Sequence, residues 1–313
     1  MTRFRAGLAV AVCFFGAAVA AQQPVFRGSG DVVRVFSTVT DRDGRLVPTL
    51  GRDDFEVRDE GKPQPITQFD NSPQPIRLVV MLDVSGSMEG NLQLLRGAAD
   101  ELFTRLRPDD VARVGSFGHD VDVGAGFTRD IRELRAALPR SIAPDAPTPL
   151  WKAVDEAITA LGTEKDMRSV VLVLSDGKDS GPISFRQRYV SQVEVIERAR
   201  REDVMVYGIG MRSRGRRPPP GLGPGGLQAA LEAELPDAGL ALVAEHTGGG
   251  YLEIRPNQDL GAAFARVADE LHSQYLLGFV PPRKDGKVHE VEVRVVQKGL
   301  KARARKSYTA PKQ

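Results

Sequence analysis

The spacing of apolar residues changes character twice along the chain, near residue 76 and again near residue 276. In the first stretch Val33, Val35 and Val39 recur at even spacing, and the turn sequence Asp41-Arg42-Asp43-Gly44 follows directly. Phe55-Glu56-Val57 then leads into a second turn, Asp59-Glu60-Gly61-Lys62. Period two punctuated by turn residues predicts short strands. The DRDG fragment lacks the further oxygen ligands and distal Glu of a calcium loop, so it reads as a hairpin turn. Pro63, Pro65, Pro73 and Pro75 make a poor interior strand and predict a linker.

Between residues 77 and 275 the pattern alternates. Leu78 to Leu82, Val170 to Leu174 and Val204 to Ile209 are short, nearly continuous apolar runs, as parallel strands buried on both faces require. Helical stripes lie between and after them. Leu92, Leu95, Ala99, Leu102, Phe103 and Leu106 form one, closed by Pro108. Ala153, Ala157, Ile158 and Leu161 form a second, and Phe264, Val267, Ala268 and Leu271 a third. Residues 214–226, RGRRPPPGLGPGG, have no apolar period and predict a surface loop. After 276, Val291, Val293 and Val295 alternate with Glu290, Glu292 and Arg294. Lys298-Gly299 makes a turn, and Leu300, Ala302 and Ala304 continue the alternation. The expected fold class is α/β: a Rossmann-like open, mostly parallel sheet with helices on both faces. Residues 22–76 and a C-terminal hairpin in 276–313 are expected to build a small β domain beside the 77–275 domain.

Composition is globular, with 41% hydrophobic and 27% charged residues among 313. The net charge of +2 comes from Arg3 and Arg5; without them acids and bases balance. Charge therefore supplies no case for nucleic acid or an anionic membrane. Residues 1–21 read as a secretory signal. Arg3 and Arg5 precede an apolar run from Ala6 to Ala21, and Ala18-Val19-Ala20 fits a small-x-small cleavage site. The run is short for a span, so no stable membrane segment is expected after cleavage, and the destination is the periplasm or the exterior. The single cysteine, Cys13, follows the bulky Val12 rather than the small residue of a lipoprotein site. The mature chain would carry no thiol, which excludes disulfides, zinc–thiolate sites and cysteine nucleophiles.

The candidate chemistry sits at strand ends. In an open α/β sheet ligands bind outside the carboxyl ends of the parallel strands. Asp83, Ser85 and Ser87 follow one such strand in VVMLDVSGSMEG, and Asp176 follows another in VVLVLSDGKD. Thr148, in DAPTPLWKAV, precedes a helix. Two carboxylates and three hydroxyls are hard oxygen donors, suited to Mg2+, Mn2+ or Ca2+ rather than zinc or copper. The combination of DVSGS, a later Thr and a strand-terminal Asp resembles the metal-ion-dependent adhesion site of the von Willebrand factor type A fold. TGGG at 247–250, QYLLGFVPP at 274–282 and the final GLKARARKSYTAP extend the resemblance to an exported bacterial subgroup. The resemblance implies that Ser85 and Ser87 ligate the metal directly, that Asp83 and Asp176 act largely through water, and that Thr148 moves with ligand state. Pro147 and Pro149 bracket that Thr, where many relatives place Gly before it.

The resulting expectation is an exported, non-enzymatic protein that binds a partner protein's Asp or Glu through the ion. A cell-envelope protein whose metal only stiffens the loops needs the same ligands. A metal-dependent hydrolase is the third reading. The chain contains no G-x-S-x-G frame and no G-x-x-x-x-G-K-[ST] loop, and Val84 replaces the second acid of an aspartate-based phosphotransferase. His119 beside Asp120 reads as a surface histidine. A Ser or Asp after a strand commonly caps the following helix, which would also explain Ser87 or Asp176 taken singly.

Overall fold

The computed structural model describes residues 32–162, 166–176, 178–181, 188–212, 237–255 and 258–312. The signal sequence read at 1–21 and the loop read at 214–226 lie outside the described residues. In chain order, β1 (Val33–Thr40), β2 (Phe55–Asp59), β3 (Lys62–Gln64) and β4 (Gln68–Asp70) come first. The alternating region holds β5 (Ile76–Asp83), α1 (Leu92–Phe103), β6 (Val111–Phe117), β7 (Val121–Asp122), α2 (Ile131–Ala136) and α3 (Leu150–Leu161). It continues with β8 (Arg168–Ser175), α4 (Gln192–Glu202), β9 (Val204–Met211), α5 (Ala238–Thr247), β10 (Tyr251–Ile254) and α6 (Leu260–Leu271). The last strands are β11 (Tyr275–Phe279), β12 (Val288–Val295), β13 (Lys301–Ala304) and β14 (Ser307–Thr309).

The central sheet has the order β10-β9-β8-β5-β6-β7, parallel except for β7. Its strands bury both faces, which explains their unbroken apolar runs. Ile76, Leu78, Val80 and Leu82 of β5 pack with Leu95, Leu102 and Phe103 of α1 and with Phe264, Val267 and Leu271 of α6. Val79 and Met81 face the other way, against Val154, Ala157 and Ile158 of α3 and Val195 of α4. The chain leaves β5 for β6 on one side and later returns to β8 on the other. The strand order therefore reverses between β5 and β8, and a crevice opens at their carboxyl ends.

The flanks form two four-stranded sheets, β13-β1-β11-β4 and β14-β12-β2-β3. Their inward residues share one core, in which Val35, Val57, Tyr275, Leu277, Phe279, Val291 and Tyr308 meet. Two details differ from the sequence expectation. Residues 288–304 do not form a hairpin: β12 pairs with β2 and β14, whereas β13 crosses to pair with β1. Alternation reports which face is buried, and that face is the same whichever neighbour supplies the hydrogen bonds. Nor are residues 62–70 wholly a linker. Pro63 lies in β3, the outermost strand of its sheet, where a missing N–H need cost no ladder bond. The DRDG sequence does turn the chain, with Asp41 Oδ1 accepting from the N–H groups of Asp43 and Arg45.

Candidate functional site

Asp83 ends β5 in the middle of the sheet and is fully buried. Both of its carboxylate oxygens are engaged: Oδ1 accepts from the Ser85 N–H at 2.9 Å, and Oδ2 from the Ser175 hydroxyl at 2.5 Å. No ion pair among the described residues includes Asp83; its donors are neutral. Burial pushes its pKa up to about 6 against the opposing pull of Ser175 and Ser85, and the nearby Asp176 adds to the rise.

The loop after β5 makes one short 3-10 turn at Gly86–Met88, which turns Ser85 and Ser87 toward each other. Their hydroxyl oxygens are 3.0 Å apart, and the Ser87 hydroxyl donates to Asp176 Oδ1 at 2.6 Å. Asp176 directly follows β8; burial raises its pKa too, opposed by Ser87. Ser85 and Asp176 are buried, while Ser87 is exposed, so the group opens to solvent at Ser87. Four of the five residues read from the sequence thus form one hydrogen-bonded chain across a gap of 89 positions.

The fifth, Thr148, is brought to the same edge by its main chain. Gly86 N–H donates to Ala146 O at 3.3 Å, and Ala143 N–H to Val84 O at 3.0 Å, so residues 143–148 press on the Ser85–Ser87 loop. A Cβ on Gly86 would lie 1.8 Å from Pro144 O, so this close approach needs a glycine. Thr148 N–H donates to the Ser180 hydroxyl at 3.1 Å, and Ser180 N–H returns a bond to Thr148 O at 3.0 Å. The Thr148 side chain is buried, and the bonds that link the other four do not include its hydroxyl.

Sequence reasoning missed three supporting residues. Ser175 holds Asp83 from the neighbouring strand; its signal was a hydroxyl as the last residue of a buried strand beside a candidate ligand. Asp179 accepts from Trp151 N–H at the start of α3, and Asp237 accepts from Asp179 N–H. Together they tie the Thr148 loop, the segment after β8 and the start of α5.

The donor set fits a hard divalent cation. Two buried carboxylates, both disfavoured as anions by burial, lie within one network with two hydroxyls, and a third hydroxyl stands on the adjoining loop. A divalent ion would relieve both anions at once. Among the described residues no group of three or more His, Cys, Asp and Glu gathers in metal-binding geometry. A site built from hydroxyls and two acids has too few such side chains to form one.

Residues 78–178 match the family described as von Willebrand factor type A domain. No curated protein matches the chain. Among solved structures it is similar to the conserved hypothetical protein BatB from Bacteroides thetaiotaomicron, at 16% identity and a TM-score of 0.46 over 63% of this chain and 98% of that one. It is also similar to a von Willebrand factor type A protein from Catenulispora acidiphila, at 12% identity and a TM-score of 0.46 over 91% and 75% of the two chains. A third is proximal thread matrix protein 1 from the mussel byssus, with a zinc-occupied adhesion motif, at 15% identity and a TM-score of 0.44 over 65% and 47%.

Proposed function

We propose that this chain, which carries a von Willebrand factor type A domain, is an exported protein that captures a partner protein's carboxylate through a bound divalent ion. The observation that carries the reading is the chain Asp83–Ser85–Ser87–Asp176 at the point where the strand order reverses. Ser85, Ser87 and Thr148 offer neutral oxygens to the ion, and Asp83 and Asp176 balance its charge. Mg2+ or Mn2+ suits this set, and Ca2+ shares its preference for oxygen. When bound, the ion supplies affinity for an incoming Asp or Glu, because hydroxyl donors leave it electrophilic. Ser87 marks the open side from which such a side chain would arrive. Export is supported by the basic, apolar and small-residue order of residues 1–21. Among the described residues no helix is long and apolar enough to cross a membrane. Binding rather than catalysis is proposed, since the chain has no nucleophile frame or phosphate loop.

The test has two stages. At about 100 times its dissociation constant the metal should stabilise the fold by about 2.7 kcal/mol, and the corresponding rise in Tm should vanish in Asp83→Ala. Acidic peptides arrayed beside their Asn and Gln counterparts should then bind in Mg2+ or Mn2+ but not in EDTA. An undiminished Tm rise in Asp83→Ala removes the metal assignment. Peptide binding that persists in EDTA, or that ignores the acid-to-amide change, removes the capture mechanism even if the metal site stands.

A further inference from the structure

The opposite end of the central sheet holds a second polar feature. Two adjoining cavities, of about 20 and 60 Å3, lie between the amino ends of β8 and β9 and the strand β1. Arg34, Phe36, Arg168 and Asp203 line both, and Arg200 and Arg305 line the smaller one. Arg34 and Arg305 belong to the β domain; Arg168 and Arg200 belong to the central α/β unit.

Arg168 is only 7% exposed. Its Nη1 donates to Gln274 Oε1 and its Nη2 to Leu271 O, both at 2.5 Å, and both acceptors are neutral. Its guanidinium carbon lies 4.9 Å from the Phe36 ring centre. Burial pushes its pKa down to about 10, so it stays a cation at neutral pH. Its hydrogen-bond partners are neutral, and Asp110 acts on it only through space, which leaves its lost hydration incompletely offset. The buried Nε of Arg168 has no acceptor, and neither do those of Arg200 and Arg305. The one carboxylate pair here is Arg305 with Asp203, at 2.5 Å. Among the described residues Arg34, Arg168 and Arg200 enter no ion pair. The smaller cavity thus carries four guanidinium groups against one carboxylate, whereas Asp166, Glu202 and Asp203 line the larger one beside Arg34 and Arg168, so the anion's place is the smaller cavity.

We propose that this cleft binds a small oxyanion of the size of phosphate or sulfate, which bridges the β domain and the central α/β unit. Planar guanidinium forks match the oxygens of such an ion, and the orphaned Nε–H groups are donors waiting for acceptors. The smaller cavity exceeds the roughly 10–15 Å3 that a water molecule needs, and the larger one gives it an outlet. A nucleotide would not fit in that space. The site is at the other end of the strands from Asp83 and Asp176, so it stands or falls separately from the metal-dependent function.

The experiment is calorimetric titration of inorganic phosphate into the full chain in EDTA, with ionic strength held constant by sodium chloride. A saturable single-site heat is expected. Arg34→Gln and Arg200→Gln should each weaken it by about tenfold or more, while Asp83→Ala leaves it unchanged. Melting curves establish that the variants fold; Arg34 is exposed, so Arg34→Gln decides the case if Arg200→Gln does not fold. No saturable heat by about 10 mM phosphate would overturn the proposal. Equal affinity in folded Arg34→Gln and Arg200→Gln would also overturn it and would show an adventitious ion only.

Discussion

Asp83 gains its orientation from two neighbours of different origin. Ser85 is two positions away, and Ser175 lies 92 positions along the chain on the adjacent strand. Ser175→Ala should leave Asp83 Oδ2 without its donor inside a closed pocket. Such a loss costs roughly 1–3 kcal/mol in a buried group, read as a lower Tm in the metal-free protein. Because outer donors orient metal-linked acids, Mg2+ affinity should also fall by about tenfold, measured by titration of the same variant. Unchanged metal affinity would show that Ser175 matters to packing alone. At this scale the sequence displayed Asp83, Ser85 and Ser87 because they are neighbours along the chain. It displayed Asp176 because a long apolar run ends beside it. Ser175 was hidden: as the last residue of that run it reads equally as a strand terminus.

Between elements, Asp110 joins parts that share no sequence signal. Its carboxylate accepts from Ile76 N–H at 3.0 Å at the start of β5, from Arg107 N–H at 2.7 Å, and from His272 Nε2 at 2.8 Å just past α6. Burial alone would raise its pKa, but the bonds from His272, Arg107 and Ile76 outweigh this and leave it lowered. A lowered carboxylate contributes stability that is present above its unfolded pKa and lost as pH falls through its folded one. Asp110 should therefore support the fold at neutral pH and cease to do so on acidification below about pH 4. Asp110→Ala strips acceptors from three donors at once and should destabilise by on the order of 4 kcal/mol at pH 7, with a smaller penalty in acid. Denaturant melts at the two pH values check this, and equal penalties would contradict the assignment. The apolar stripes gave α1, α3 and α6 their positions, yet nothing in them marked this clamp, which needs a loop, a strand and a helix end to meet.

Across the whole molecule the two chain flanks depend on each other. Val33 to Ser37 pair with Tyr275 to Phe279, and Phe55 to Asp59 with Val291 to Val295. Tyr308, 1% exposed near the C-terminus, packs edge-on to Phe279 at 5.6 Å and donates to Asp59 at 2.9 Å. Tyr308→Ala should destabilise by about 3–5 kcal/mol, in the range for buried aromatics. Limited proteolysis should then cut residues 33–70 faster, whereas the metal-dependent Tm rise should persist because the site lies in the other unit. Unaltered protection of residues 33–70 would argue against this mutual support. The sequence by itself determined three of the parallel strands, three of the helices, the buried face of the alternating strands at 33–39, 55–57 and 291–295 and the oxygen donors at strand ends, since these follow from local periodicity and from residues in short reach. Only the tertiary structure decided that β12 and β13 part into different sheets, that Ser175 holds Asp83, that Asp110 clamps Ile76, Arg107 and His272, and that four arginines line one cavity. Those outcomes depend on which distant surfaces meet, and hydrogen-bond partners and shared charges across such contacts leave no period in the chain.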